Sequence, residues 1–206
     1  MNEKRLYVAH RLKRTGALGP GQRYALWLQG CKKSCAGCVF PEGRSLDSGG
    51  YFISVTDLAT EILSQKDIRG ITVSGGEPFL QAEGLAALLR NVKAGADLDI
   101  MIYSGYTLAE LRAKQSEAIN EILSLADLLI DGEYREAENN NSLYRGSDNQ
   151  TIHFLSSRFK AWEEQIINHK GRPLEFVREN SELFMVGLPP KNFKQAFFKK
   201  AEILGK

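Results

Sequence analysis

The chain has 206 residues, 43% hydrophobic and 25% charged, enough for one ordinary core, and its formal net charge of +2 excludes a broad electrostatic nucleic-acid footprint. No apolar run reaches the ~18 residues of a membrane span. The opening Met1-Asn2-Glu3-Lys4-Arg5 has no apolar signal region behind it, so the expected location is the cytoplasm.

The first strong signal is the turn Gly19-Pro20-Gly21-Gln22-Arg23, which runs into the apolar and aromatic stretch Tyr24-Ala25-Leu26-Trp27-Leu28. Bounded by turn residues, this stretch is predicted as a buried strand over 23–29. At its end come all three cysteines, Cys31, Cys35 and Cys38. An odd triplet packed this tightly fits a disulfide framework poorly. The spacing CxxxCxxC supplies three thiolates and leaves a fourth coordination position open. A thiolate-only [4Fe–4S] carrier takes four cysteines, and structural zinc closes with four Cys or His ligands. Neither is completed locally. A zinc site would need His10, His153 or His169 as a distant fourth ligand, and none has ligand-like spacing to the cysteines.

A helix is predicted over 54–65 and a strand over 70–74, continuing as Gly75-Gly76-Glu77-Pro78 into a helical pattern over 79–93. Glycine there lets the main chain approach a ligand with no Cβ in the way. A strand over 98–103 ends in Tyr103-Ser104-Gly105-Tyr106, and a helix over 107–124 opens on a capping box between Thr107 and Glu110. A strand over 126–131 closes on the turn pair Asp131-Gly132. Residues 135–150, with Asn139, Asn140 and Asn141, are expected as a long loop, and 157–168 as a helix. The segments Pro173 to Arg178 and Glu182 to Gly187 are expected as two strands joined by Glu179-Asn180-Ser181. After Pro189-Pro190 an amphipathic helix is expected with Phe193, Phe197, Ala201 and Leu204 inward. Alternation of strand and helix predicts an α/β fold, a parallel sheet with helices packed outside. Such sheets bind small molecules at their strand ends.

Four stretches, in order, resemble the radical S-adenosylmethionine (SAM) enzymes and, among them, the activating enzymes of glycyl radical enzymes. They are Gly19-Pro20-Gly21 through Cys38, Gly70 through Pro78, Tyr103-Ser104-Gly105-Tyr106-Thr107, and Asp131-Gly132 with Tyr144-Arg145-Gly146-Ser147-Asp148-Asn149-Gln150. The likeness is strongest to the branch serving anaerobic ribonucleoside-triphosphate reductase. It implies a partial, open β/α barrel of the radical SAM type. Residues 1–206 would form a single domain, with a core over about 7–155 and a C-terminal strand–strand–helix extension over 156–206. The extension lies beyond the resemblance and is expected either to extend the sheet and cover an edge beside the partner's approach or only to add core.

The resemblance also implies cofactors, a [4Fe–4S] cluster and SAM. Cys31, Cys35 and Cys38 would each bind one iron, and SAM would chelate the fourth through its amino and carboxylate groups. The main chain of Gly37, Cys38 and Val39 would lie along the adenine, Gly75, Gly76 and Glu77 would receive the methionine amino group, and Asp131 would stand near SAM. On this reading Gly76→Val blocks SAM while sparing the cluster. The implied partners are a much larger glycyl radical enzyme as substrate and an electron donor of flavodoxin or ferredoxin type, with neither membrane nor direct nucleic-acid contact. Two other classes compete. One is a radical SAM enzyme modifying a small molecule or peptide, which usually needs more protein to enclose its substrate. The other is a non-enzymatic iron–sulfur or zinc module, which has no need of SAM-site motifs.

Overall fold

The computed structural model describes residues 3–179, 182–193 and 197. Seven strands form one sheet in the order β3-β1-β2-β4-β5-β6-β7, with β3 and β7 as its edges. Its centre is parallel: β2 (Arg23–Leu28), β4 (Gly70–Gly75), β5 (Asp99–Ser104) and β6 (Leu128–Asp131) run side by side. All four are strands the sequence predicts. Register aligns Leu28 with Gly75, and Ser104 with Asp131, so the carboxyl ends of the strands fall at one edge of the molecule. Antiparallel strands flank them, β1 (Arg5–Thr15) and β3 (Tyr51–Ser54) on one side and β7 (Thr151–Phe154) on the other.

Helices α1 (Val55–Leu63), α2 (Ala82–Gly95) and α4 (Glu117–Leu125) cover one face. In α1 the buried residues Val55, Leu58, Ala59 and Ile62 recur at helical spacing, and Ser54 Oγ caps the first turn by accepting from the Asp57 amide at 3.0 Å. They pack with Leu85, Leu88 and Val92 of α2 against the inward side chains of the central strands. On the opposite face Met101, Leu128 and Ile130 pack with Leu143, Tyr144 and Phe159, and with Ile166 of α5 (Glu163–Asn168).

Three expected elements take a different form. The helix expected over 107–124 is two, α3 (Leu108–Ala113) and α4, because Gln115 turns to φ 49° and Ser116 starts a new cap. The stretch 157–168 begins as a 3₁₀ turn over Ser157–Trp162 before α5. The C-terminal strands β8 (Leu174–Glu179) and β9 (Glu182–Gly187) do not extend the sheet: they pair with each other as a separate hairpin. Its inner side chains need apolar cover, and β1 and β2 supply it. Val177 and Val186 pack with Leu12, Ala25 and Trp27, the His10 and Phe184 rings stack 4.6 Å apart, and Glu175 accepts from Thr15 Oγ1 at 2.6 Å and from the Gly16 amide at 2.8 Å. The expected turn at Asn180-Ser181, and the expected final helix apart from Phe193 and Phe197, lie outside the described residues. Among the described residues no helix is long and apolar enough to cross a membrane.

At the amino ends of the strands a buried cation holds the sheet together. Arg23 is fully buried. Its Nε donates to Thr72 Oγ1 and its Nη2 to the Ile71 carbonyl, both at 2.7 Å. Asp99 lies 2.6 Å from Arg23 Nη1 and 2.8 Å from Arg69 Nε, in ion pairs that are close but not aligned as hydrogen bonds. Burial lowers the Arg23 pKa and the Asp99 charge opposes that. Removing one partner strands the other charge in the interior, so Asp99→Ala is expected to lose about 3–5 kcal/mol in urea unfolding. Replacing exposed Arg90, paired with Glu121 on the surface, should leave the midpoint essentially unmoved. A chain ending after Leu155 gives a second check. It would remove Phe159, fully buried, and Ile166, 2% exposed, so loss of soluble protein is expected; a folded, soluble truncation would contradict this account of the core.

Candidate functional site

The cysteine loop leaves the end of β2 and is strapped in place by its main chain. The Gly30 amide donates to the Gly43 carbonyl at 2.8 Å and the Cys31 amide to the Arg44 carbonyl at 3.0 Å. The turn after β4 joins the same strap: the Gly76 amide donates to the Leu28 carbonyl at 2.7 Å and the Glu77 amide to the Gly30 carbonyl at 2.8 Å. Side chains finish the work. Gln81 Nε2 donates to the Gln29 carbonyl at 3.0 Å, and Gln29 Nε2 to the Ser45 carbonyl at 2.9 Å.

These contacts bring Cys31, Cys35 and Cys38 to one cavity of about 110 Å³ together with Gly75, Gly76 and Glu77. Ser104, Gly105 and Gly132 close it from the ends of β5 and β6, and Gln150 from the start of β7. The cysteines are free and partly buried. Burial pushes the thiols of Cys31 and Cys35 up, against main-chain hydrogen bonds from Lys33 and Tyr134 that favour the thiolates. A bound metal removes the proton outright. Among the described residues no three His, Cys, Asp or Glu side chains are grouped to hold a single metal ion, and no histidine lines the cavity. Three free thiols on one loop, each free to take a different metal atom, are a donor set that fits an iron–sulfur cubane.

Glu77 is the most constrained residue here, at 1% exposed. Its carboxylate accepts from the Gly105 amide at 2.7 Å, from Ser104 Oγ at 3.0 Å and from the Phe79 amide at 3.1 Å, so it staples the β4 turn to the end of β5. Burial raises its pKa and the three hydrogen bonds oppose the rise. Lys33 bridges the rim. Its ammonium is 2.9 Å from Glu133 and 4.4 Å from the centre of the Tyr106 ring, and although burial pulls its pKa down, Glu133 holds it above the ordinary lysine value.

Two of the expected SAM neighbours do not line the cysteine cavity itself. Asp131 is not among the residues lining the cavity. Its Oδ2 accepts from the Leu108 amide at 2.5 Å, at the start of α3, and lies 2.8 Å from His153 Nε2, so the carboxylate is spent on a helix end and on β7. Gly37, at φ 71°, borders a neighbouring cavity of about 250 Å³ with Cys38, Val39, Tyr134 and Pro189. A Cβ on it would meet Glu136 Oε2 at 2.6 Å.

Sequence reasoning gave no role to Ser104 and Lys33, although both lie in stretches that carry the resemblance, and missed Glu133, which lies in none. Gln150 lay in a stretch that was singled out but had no role: its Nε2 donates to the Gly132 carbonyl at 2.8 Å while its Oε1 accepts from the Gly146 amide at 2.7 Å, bracing the turn after β6.

A family model described as "4Fe-4S single cluster domain" matches residues 17–153. The anaerobic ribonucleoside-triphosphate reductase-activating protein of Vibrio cholerae is 35% identical over 144 residues, which are 66% of this chain and 89% of that protein. The protein of the same name from Pasteurella multocida is 37% identical over 66% of this chain and 89% of its own length. That of the bacteriophage T4 is 33% identical over 65% and 85%.

The glycine turn revises one expectation. A Cβ on Gly76 would lie 2.2 Å from the Gly30 carbonyl oxygen and 2.6 Å from that of Gly43, both main-chain atoms of the cysteine loop and its strap. Substitution therefore cannot spare the cysteines, contrary to the sequence reading of Gly76→Val. Even Gly76→Ala is expected to lower iron and sulfide content after anaerobic reconstitution as well as SAM binding. Full metal loading with SAM binding alone lost would contradict the coupling.

Proposed function

The chain belongs to the 4Fe-4S single-cluster family of anaerobic ribonucleoside-triphosphate reductase-activating proteins, and we propose that it activates a glycyl radical enzyme. Once bound, a [4Fe–4S] cluster and SAM would supply the chemistry: one electron from an external donor would split SAM into methionine and a 5′-deoxyadenosyl radical able to take a glycine Cα hydrogen from the larger partner. The observation that carries the reading is the meeting, at the carboxyl ends of parallel strands, of three free thiols with the Gly75-Gly76-Glu77 turn in one cavity.

Cys31, Cys35 and Cys38 would hold the cluster, and three thiolates would leave it one position open to SAM. The main chain of Gly75, Gly76 and Glu77 receives the methionine end. The Glu77 carboxylate fixes that turn from behind through Gly105 and Ser104. The strip Gly37 to Val39 lies along the adenine, where Cys38 and Val39 border both the cysteine cavity and its neighbour. No side-chain acid or base is needed. The protein's task is to hold the reacting carbon against its target and keep water and other hydrogen donors out.

On this reading the sheet, open between β3 and β7, is the partial β/α barrel of a single domain over residues 1–206. The setting is the cytoplasm, with a flavodoxin or ferredoxin type donor supplying the electron.

The test is anaerobic reconstitution followed by dithionite, SAM and an anaerobic ribonucleoside-triphosphate reductase. The wild-type chain should bind iron and sulfide in equal amounts, form 5′-deoxyadenosine, and raise a glycyl radical signal in the reductase by electron paramagnetic resonance. Second-layer changes at metal sites already cost about 10–100-fold, so loss of a ligand in Cys35→Ala should lower 5′-deoxyadenosine formation by more than about 100-fold. Zinc without sulfide in the wild-type chain, or full cleavage by Cys35→Ala, would sink the proposal.

A further inference from the structure

A second cavity, of about 620 Å³, opens between the sheet and the C-terminal hairpin. It shares Cys38, Val39, Ser74, Gly75, Tyr103 and Leu188 with the cysteine cavity, so the two are continuous. One wall is His10 and Trp27, on β1 and β2. The other is β9: every residue from Leu183 to Gly187 borders the space, whereas no residue of β8 does. Successive side chains of a strand point to opposite faces. A cavity that touches every residue along the strand therefore meets its edge. Among the described residues β9 pairs with β8 alone, which leaves that edge a row of main-chain donors and acceptors without strand partners.

We propose that this edge receives the glycine-bearing segment of the partner protein as an added strand and so delivers its Cα to the cysteine cavity. The inference rests on the activating function proposed above. The occupant follows from continuity with the reaction site: β9 runs directly into Leu188, which borders both cavities, so a strand laid along β9 ends where the thiols are. Pairing along Leu183 to Gly187 covers about 17 Å of extended chain at ~3.3 Å per residue. The volume suits a small ligand as well, but a small ligand has no use for a strand edge. Removing hydrogen from a glycine Cα requires a bare main chain at the site, and strand addition presents main chain. Trp27, Phe184 and Val186 make the walls largely apolar, which fits a segment with small, uncharged side chains. The hairpin lies outside residues 17–153 matched by the family model, so this edge is not part of that match.

The test uses the full-length, cluster-loaded chain with SAM and a synthetic peptide centred on the radical-bearing glycine of an anaerobic ribonucleoside-triphosphate reductase. Binding is read by calorimetry for the parent peptide and for two versions N-methylated at alternate residues in opposite phases. Amides in an added strand point alternately to and from β9, so one phase should weaken binding by about 10-fold or more, the loss of two or more hydrogen bonds of about 1 kcal/mol each. The other phase should bind as the parent does. Equal effects in both phases, or no effect in either, would give the groove to side chains or to a small molecule and overturn strand addition. So would a parent peptide that does not bind. Formation of 5′-deoxyadenosine without peptide is measured in parallel: its absence overturns the activating function itself, and this inference with it, whereas its presence with unphased binding overturns the strand alone.

Discussion

The site depends on one main-chain contact, the closure of the Gly76-Glu77 turn against Gly30. The Glu77 amide donates to the Gly30 carbonyl at 2.8 Å, and there is no room for a Cβ at Gly76. Gly30 immediately precedes Cys31, so the thiol loop takes its position from the turn after β4 together with its own strap to Gly43 and Arg44. Parallel pairing of β2 with β4 sets up the contact by bringing Leu28 beside Gly75. The Glu77 carboxylate then carries the same constraint to the end of β5. Each strand adds one wall to the cavity because each loop is tied to its neighbour by hydrogen bonds that leave little freedom.

The other end of the sheet is held by a different chemistry. Arg23 gathers the Thr72 hydroxyl, the Ile71 carbonyl and the Asp99 carboxylate around a charge with no exposure. Thr72 Oγ1 in turn donates to the Leu18 carbonyl at 2.7 Å, which pins the glycine turn before β2. A buried charge network is costly to assemble and more costly to break. It fixes the relative register of β2, β4 and β5 at their amino ends, and register there decides whether Leu28, Gly75 and Ser104 come level at the carboxyl ends.

Much of this was legible in the sequence, for physical reasons. The four central strands are buried on both faces, so they stand out as short apolar runs between turns, and the cysteines sit at the end of one of them. The flanking strands escaped because their pattern is diluted by charge. In β1 only Leu6, Val8, Leu12 and Thr15 are buried, among Arg5, His10, Arg11, Lys13 and Arg14. Asp131 was expected near SAM because it ends a strand beside the site. Strand position places a Cα but does not aim a side chain, and the amide at the start of α3 is the nearer claim on its charge. Lys33 with Glu133, and Gln150 with Gly132, are pairings across the fold that no local pattern announces.

The C-terminal hairpin was expected either to add core or to guide the partner, as though these excluded one another. The structure removes the opposition, because a β-strand has faces and edges. Val177, Phe184 and Val186 turn inward onto Trp27 and His10, and Glu175 ties the hairpin to Thr15. Those contacts are packing, and they consume one face. The edge of β9 opposite β8, without a strand partner among the described residues, stays beside the cavity that leads to Cys38. Packing fixes where that edge lies, as a docking surface needs if it is to present an atom to a radical within a van der Waals distance of its target. A loop in the same place could supply the groups but not the alignment, and this is the physical reason to lay a strand, rather than a flexible tail, along the approach to the thiols.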